Sequence, residues 1–162
     1  MATIGLKSMM AAKTISGNSP QIMNFPEAAT QTFKRGEVVY LVGGKVTEIG
    51  GDTPGQILGV AVDDASETTD TSIGVWIAND DTVFEANYSD DSQTGAVTAV
   101  SSIGLRKILD RDTTNSRVYV SNSGTTPRVT ILALSEKDEA GDTGGRVLFQ
   151  FMRQYSQLFS TS

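Results

Sequence analysis

"FKRGEVVYLVGGKVTEI", residues 33–49, is the stretch from which the fold can be read. Val38 to Val42 is a run of β-branched, aromatic and aliphatic residues, the composition of a strand. Gly43 and Gly44 follow as a two-residue hairpin signal, because glycine tolerates the positive φ that primed turns require. "KVTEI" then alternates polar and apolar and returns as the partner strand. "GGDTPG" closes the unit with turn residues.

Working downstream, "QILGVAV" (56–62) is a nearly continuous apolar strand that should be covered on both faces. Gly59 within it marks a bulge or a close backbone approach. "IGVWIA" (73–78) and "TVFEANY" (82–88) read as strands joined by "NDD" in a tight hairpin. On such a strand Val75 and Trp76 face opposite sides, so one of them points outward unless covered. Residues 96–112 leave two readings open, a short helix or a bent strand carrying Ile103, Ile108 and Leu109. "RVYVSN" (117–122), "RVTILAL" (128–134) and "RVLFQFM" (146–152) complete a set of about eight strands separated by turn signals, and no helical period is sustained. An all-β barrel or sandwich spanning 33–153 follows.

Upstream, "MATIGLKSMMAAKTISGNSPQIMNF" is apolar at Ile4, Leu6, Met9, Met10, Ile15, Ile22, Met23 and Phe25, yet it repeats at neither 3.6 nor 2. Gly5, Gly17, Asn18 and Pro20 interrupt it. Residues 1–32 are therefore expected to be an extended N-terminal arm that needs a surface from elsewhere. Each large apolar side chain is worth ~1.5–3 kcal/mol when fully buried. Ordering the backbone costs ~1–2 kcal/mol per residue, so the arm should order only against a prepared surface. The alternative is an arm packed on its own barrel or on a sibling subunit. Downstream, residues 154–162 form a C-terminal tail. Its Tyr155, Leu158 and Phe159, together with Trp76, are the candidate oligomer interface; core packing is the alternative for Trp76.

Composition narrows the chemistry. The 162 residues include no cysteine and no histidine, which removes thiol chemistry, the commonest general base and the usual metal ligand. No nucleotide-binding, nucleophile-elbow or zinc-protease motif occurs. Asp110, Asp112 and Asn115 have a spacing reminiscent of a calcium loop but lack its glycine and its terminal glutamate, so a solvated turn is expected. The acidic pairs Asp63/Asp64, Asp80/Asp81 and Asp90/Asp91 lie in polar loops as solubility charges. Asn87-Tyr88-Ser89 matches a glycosylation sequon by chance. No catalytic residue, metal or cofactor is expected. Net charge is −6, and Val46 to Leu105 holds 11 of the 19 acidic residues with no Lys or Arg. Such a surface repels nucleic acid. The longest apolar run, Ile57 to Val62, is too short to span a bilayer, and Lys7 and Lys13 interrupt any signal-peptide core.

Phe33, Gly36, Val38, Gly43, Gly44, Ile57–Ala61, Val75, Ile77, Val83, Phe84 and Ala86 together carry a resemblance. Over residues 33–88 the chain resembles the small head-decoration, or cement, proteins of tailed bacteriophages, with weaker support from 143–151. That resemblance implies a β-barrel or β-tulip body on the outer surface of an expanded icosahedral capsid, made in the host cytoplasm. It further implies contacts with the major capsid protein, a homo-oligomer (trimer preferred, dimer open), and no catalysis. Another virion or tail β-module, such as a fibre, spike or baseplate piece, is the competing reading. A carbohydrate-binding or glycoside-cleaving domain is a weaker one, since aromatic residues make up only 7% of the chain.

Overall fold

The structure, a computed structural model, describes residues 6–49, 55–90, 96–122 and 124–159. Among them are eleven strands and two single-turn 3-10 segments, with no α-helix. The expected all-β barrel is present. All eight strands read from the sequence appear: β3 (Val38–Val42), β4 (Lys45–Glu48), β5 (Gly59–Ala61), β6 (Ser72–Ile77), β7 (Thr82–Ser89), β9 (Arg117–Ser121), β10 (Val129–Leu134) and β11 (Arg146–Phe151). Three more are added: β1 (Met10–Thr14), β2 (Ile22–Pro26) and β8 (Arg106–Asp112). Residues 96–112 thus resolve into a 3-10 turn at Val100–Ser102 followed by a strand.

The strands form two sheets. One runs β1-β7-β11-β10-β8-β9, and β9 pairs back onto β7, so that five strands close into a barrel. The other runs β2-β6-β5-β3-β4. Its two outermost strands approach each other through the Glu27–Val46 bridge, where the Ala28 N–H donates to the Val46 carbonyl. The β3–β4 hairpin turns at Gly43 and Gly44, with φ of +57° and +79°, as the sequence requires.

Period-two alternation divides the apolar residues between two cores. From β3, β5 and β6, Val38, Val60 and Trp76 point into the first core, which fills the closed barrel with Phe84, Leu109, Val120, Ile131 and Phe149. Their neighbours Val39, Ala61, Val75 and Ile77 point into the second core with Phe33, Val46 and Leu58. The middle sheet strands are therefore covered on both faces, which explains the unbroken apolar run at 57–62. Phe84, Phe149 and Phe151 meet inside the barrel with ring centroids 4.9–6.1 Å apart.

Two expectations are corrected here. The segment 73–88 is not a hairpin: β6 belongs to one sheet and β7 to the other. The Asn79 side chain accepts the N–H groups of Asp81 and Thr82, fixing a corner that sends the chain across rather than back. Second, residues 10–26 are not an arm projecting from the barrel. β1 pairs antiparallel with β7 and β2 with β6. The reason lies in the barrel's closure. β9 reaches only Tyr88 and Ser89 on its edge of β7, leaving the backbone groups of Thr82 to Glu85 without a neighbour there. β1 supplies it. β2 does the same for β6 along Ser72 to Trp76. Buried backbone polar groups demand such partners, and that demand outweighs the missing side-chain period.

Candidate docking surface

The N-terminal segment has a buried side and an exposed side. Met9 is 1% exposed and belongs to the first core, with Ala11 beside it. Leu6 is half-buried, and Phe25 packs half-buried against the second core. Met10, Ile15, Ile22 and Met23 are exposed, Ile15 at 66%. Ile4 lies outside the described residues. The eight apolar residues of the arm are thus not one surface: some hold the body together and others face out.

What holds Ile15 outward is a set of hydrogen bonds to the β6–β7 corner. The Ile15 N–H donates to the Asp81 carbonyl (2.8 Å), and both the N–H and the hydroxyl of Ser16 donate to the Asp81 carboxylate at 2.8 and 2.7 Å. Ile15 then lines an open groove with Lys13, Val83, Leu132, Ala133 and Leu148, on the outer face of β1, β7, β11 and β10. Leu132 is exposed because it occupies the register shift between Ile131 and Ala133.

A second exposed apolar set escaped the sequence reading. Val97, Val100, Ile103 and Leu105 are all exposed. They lie on the turn ahead of β8, which is pinned to β10 by the Gly104 N–H on the Ile131 carbonyl and the Ile131 N–H on the Leu105 carbonyl. The available signal was four large aliphatic residues within nine positions that fit no period.

The candidate interface residues separate. Trp76 is 9% exposed and lies in the first core, with the Arg35 guanidinium 5.6 Å from its ring centre. The closed barrel covers the side of β6 on which it stands. Tyr155 packs against the same core under Arg128, 3.8 Å from its ring centre. Leu158 and Phe159 are exposed, at 40% each. The tail does not hang free before them. The Ser156 hydroxyl donates to the Ala78 carbonyl, and the Gln157 side chain both accepts from and donates to the Leu41 backbone.

The charged residues are largely committed to structure. Glu37, buried, pairs with the Arg111 guanidinium and accepts the Lys34 N–H at 2.7 Å. The hydrogen bond that the Arg111 guanidinium donates to Glu37 raises the Arg111 pKa. Glu85, 4% exposed, is met by Ser135 at 2.8 Å and Lys137 at 3.0 Å. Arg146 takes Asp138 bidentately, which holds the Asp138 carboxyl below its ordinary value. Buried Glu27 accepts the Ser66 N–H, the Ser66 hydroxyl and the Glu67 N–H, so it caps the 64–70 loop. Of the acidic pairs, Asp63 accepts the Gly74 N–H, Asp64 the Arg35 N–H, and Asp80 pairs with Arg153 at 3.1 Å. Asp91 lies outside the described residues. Asp110 and Asp112 do not lie in a solvated turn but in β8: Asp110 accepts the hydroxyl of its cross-strand partner Tyr119, and Asp112, 8% exposed, accepts from Thr114 and Asn115 of the turn that follows. Among the described residues no three acidic side chains converge as a metal site, and no helix is long and apolar enough to cross a membrane. Asn87, the sequon residue, is buried, accepting the Lys7 N–H and donating to the Gly144 carbonyl.

This arrangement offers apolar side chains held outward on hydrogen-bonded strands, beside carboxylates bonded to backbone or side-chain donors. No protein-family model matches the chain, nor does any curated protein or solved structure.

Proposed function

We propose that this chain is a structural decoration protein of a phage capsid, bound to the outside of the expanded shell and bridging neighbouring major capsid subunits. In this reading it is not an enzyme and acts as a symmetric homo-oligomer, preferentially a trimer. The observation that carries the reading is the N-terminal segment. Its inner residues are fixed in the body while Met10, Ile15, Ile22 and Met23 are held outward on hydrogen-bonded strands. Exposed apolar groups on a rigid strand bind without a large ordering cost, which suits a protein whose task is to dock. The resemblance over residues 33–88 supplies the partner. Several copies on one oligomer engage the lattice together, and avidity raises affinity without new kinds of contact.

Cosedimentation with expanded and unexpanded capsids tests this. Binding to expanded shells alone is expected, together with a raised disruption temperature, because a ligand of the intact lattice stabilises it by mass action. Failure to bind either shell would overturn the reading.

A further inference from the structure

One groove is set apart by its charge. Ser8, Lys34, Arg35, Asp64, Asn115 and Arg117 line it, where the N-terminal segment, the loop before β3 and the β8–β9 turn meet. Three cations face one carboxylate there. In the described ion pairs the cations are Lys45, Arg111, Lys137, Arg146 and Arg153, and none of the three groove cations is among them. The acids bonded to residues of the groove already have partners. Asp64 accepts the Arg35 N–H, Asp112 accepts from Thr114 and Asn115, and Glu37 pairs with Arg111.

The groove is also stiff. The Arg35 guanidinium lies over Trp76, and the Arg117 guanidinium donates to the carbonyls of Asn115 and Ser116 at 3.4 and 3.2 Å. The Lys34 backbone is tied to Glu37. Residues 8 and 9 close over Gly36, where an added Cβ would come within 2.9 Å of the Met9 carbonyl and the Ser8 Cβ. Cations already held in place lose little freedom on binding. In a chain of net charge −6, a fixed, uncompensated positive groove calls for an anionic polypeptide.

The same chain supplies one. Residues 46–105 carry 11 acidic residues and no Lys or Arg, and in the 63–70 loop Asp63, Glu67 and Asp70 are exposed outside the groove's own lining. We infer that the Lys34–Arg35–Arg117 groove docks the exposed acidic loop 63–70 of a second copy of this chain. The contact is carried by charge, separately from the apolar groups proposed for the shell, and it rests on the homo-oligomeric part of the proposed function.

The test uses the full chain. Sedimentation equilibrium should give a self-association constant that falls at least about tenfold between roughly 50 and 500 mM salt, since exposed charge pairs are screened. Lys34→Glu with Arg117→Glu should weaken association at low salt by about tenfold or more, while the thermal midpoint stays within a few degrees. Lys34→Gln with Arg117→Gln should fall in between, and serves if the reversal perturbs folding. Carbodiimide coupling in a mixture of isotopically light and heavy protein should join Lys34 of one copy to a carboxylate of the other between residues 63 and 70. Undiminished association in both double variants, salt-independent association, or intermolecular links from Lys34 only outside that interval would overturn the groove assignment and leave the oligomer standing. A wild-type chain that stays monomeric at every salt concentration would overturn both, while shell binding would remain a separate question.

Discussion

Met9→Ala separates the structural half of the N-terminal segment from its exposed half. The Met9 side chain is 1% exposed and packs in the first core. Truncating a buried methionine to alanine costs about 2–5 kcal/mol. Met9 lies ahead of β1, where neighbouring chain can relax inward, so the lower part of that range, about 2–3 kcal/mol, applies. In a domain of this size each kcal/mol moves the midpoint by about 2–4 °C, giving a fall of roughly 5–10 °C. Ile15→Ser is the internal control: at 66% exposure its loss should stay within about 0.5 kcal/mol. Circular dichroism melts with urea titrations on both variants are sufficient. A Met9→Ala cost below about 0.5 kcal/mol would refute the claim that residues 8–14 are part of the body. The same logic changes how docking must be probed. Deleting residues 1–25 would remove Met9, all of β1 and nearly all of β2, uncovering the edges of β7 and β6. Such a truncation should destabilise the protein, so lost capsid binding would say little. Met10→Asp with Ile15→Asp leaves those pairings in place and is expected to reduce shell binding with the melt nearly unchanged.

Gly59→Ala should cost about 3 kcal/mol or more, because the new Cβ would stand 1.8 Å from the Trp76 carbonyl oxygen and only backbone movement relieves it; Gly55→Ala, with open space around it, is the control, and equal melts would refute the contact. Glu37→Gln should cost about 3–5 kcal/mol by leaving Arg111 unpaired, and Glu37→Met with Arg111→Met should recover much of it, as a double-mutant cycle would reveal. Asp138→Asn removes a carboxylate whose pKa is lowered mainly by its hydrogen bond to Arg146. A depressed folded pKa means stability that is present above the unfolded value and lost as pH falls through the folded one. The variant should therefore melt lower than wild type at pH 7, by about 1 kcal/mol for a partly exposed pair, and the two curves should converge as pH drops below about 4; a constant gap down to pH 2 would contradict it.

How much of this was legible depends on where each signal comes from. Strands β3 to β7 and β9 to β11 announce themselves through alternation or apolar runs, and Gly43-Gly44 fixes one hairpin by its φ alone. Gly59 was readable as a close approach because nothing else justifies a glycine in a buried strand. β1 and β2 were not readable as strands. They belong to the fold because other strands leave backbone edges open, a demand that is invisible within residues 10–26 themselves. The 73–88 segment misled for a related reason. Two strands and a short polar link look the same whether the link reverses the chain or turns it into another sheet, and Asn79 decides that through bonds two and three residues on. Trp76 could be placed in a core only once the closed barrel stood against its own side of β6. The outward set Val97, Val100, Ile103 and Leu105 had no period to reveal it, since a turn followed by an edge-pinned strand has none.

The two ends of the chain bear on what kind of work this body can do. The N-terminal segment pairs with β7 in one sheet and with β6 in the other, and the C-terminal turn ties Ser156 to Ala78 and Gln157 to Leu41. Glu37 ahead of β3 and Arg111 on β8 add a buried ion pair between the two halves. Loosening either core therefore strains backbone pairs and tethers that belong to the other, and local opening is discouraged in favour of a single cooperative transition. A lid or a hinged cleft needs the opposite property, an element that opens at low cost. A docking body gains from stiffness, because load arriving at Ile15 passes through the Asp81 corner and β7 into the whole first core. The expected mechanical signature is a narrow denaturant transition with one midpoint by both tryptophan fluorescence and far-ultraviolet dichroism, since Trp76 stands at the seam of the two cores. Two separated midpoints would mean that the halves unfold independently and that the chain's ends do not bind them into one body.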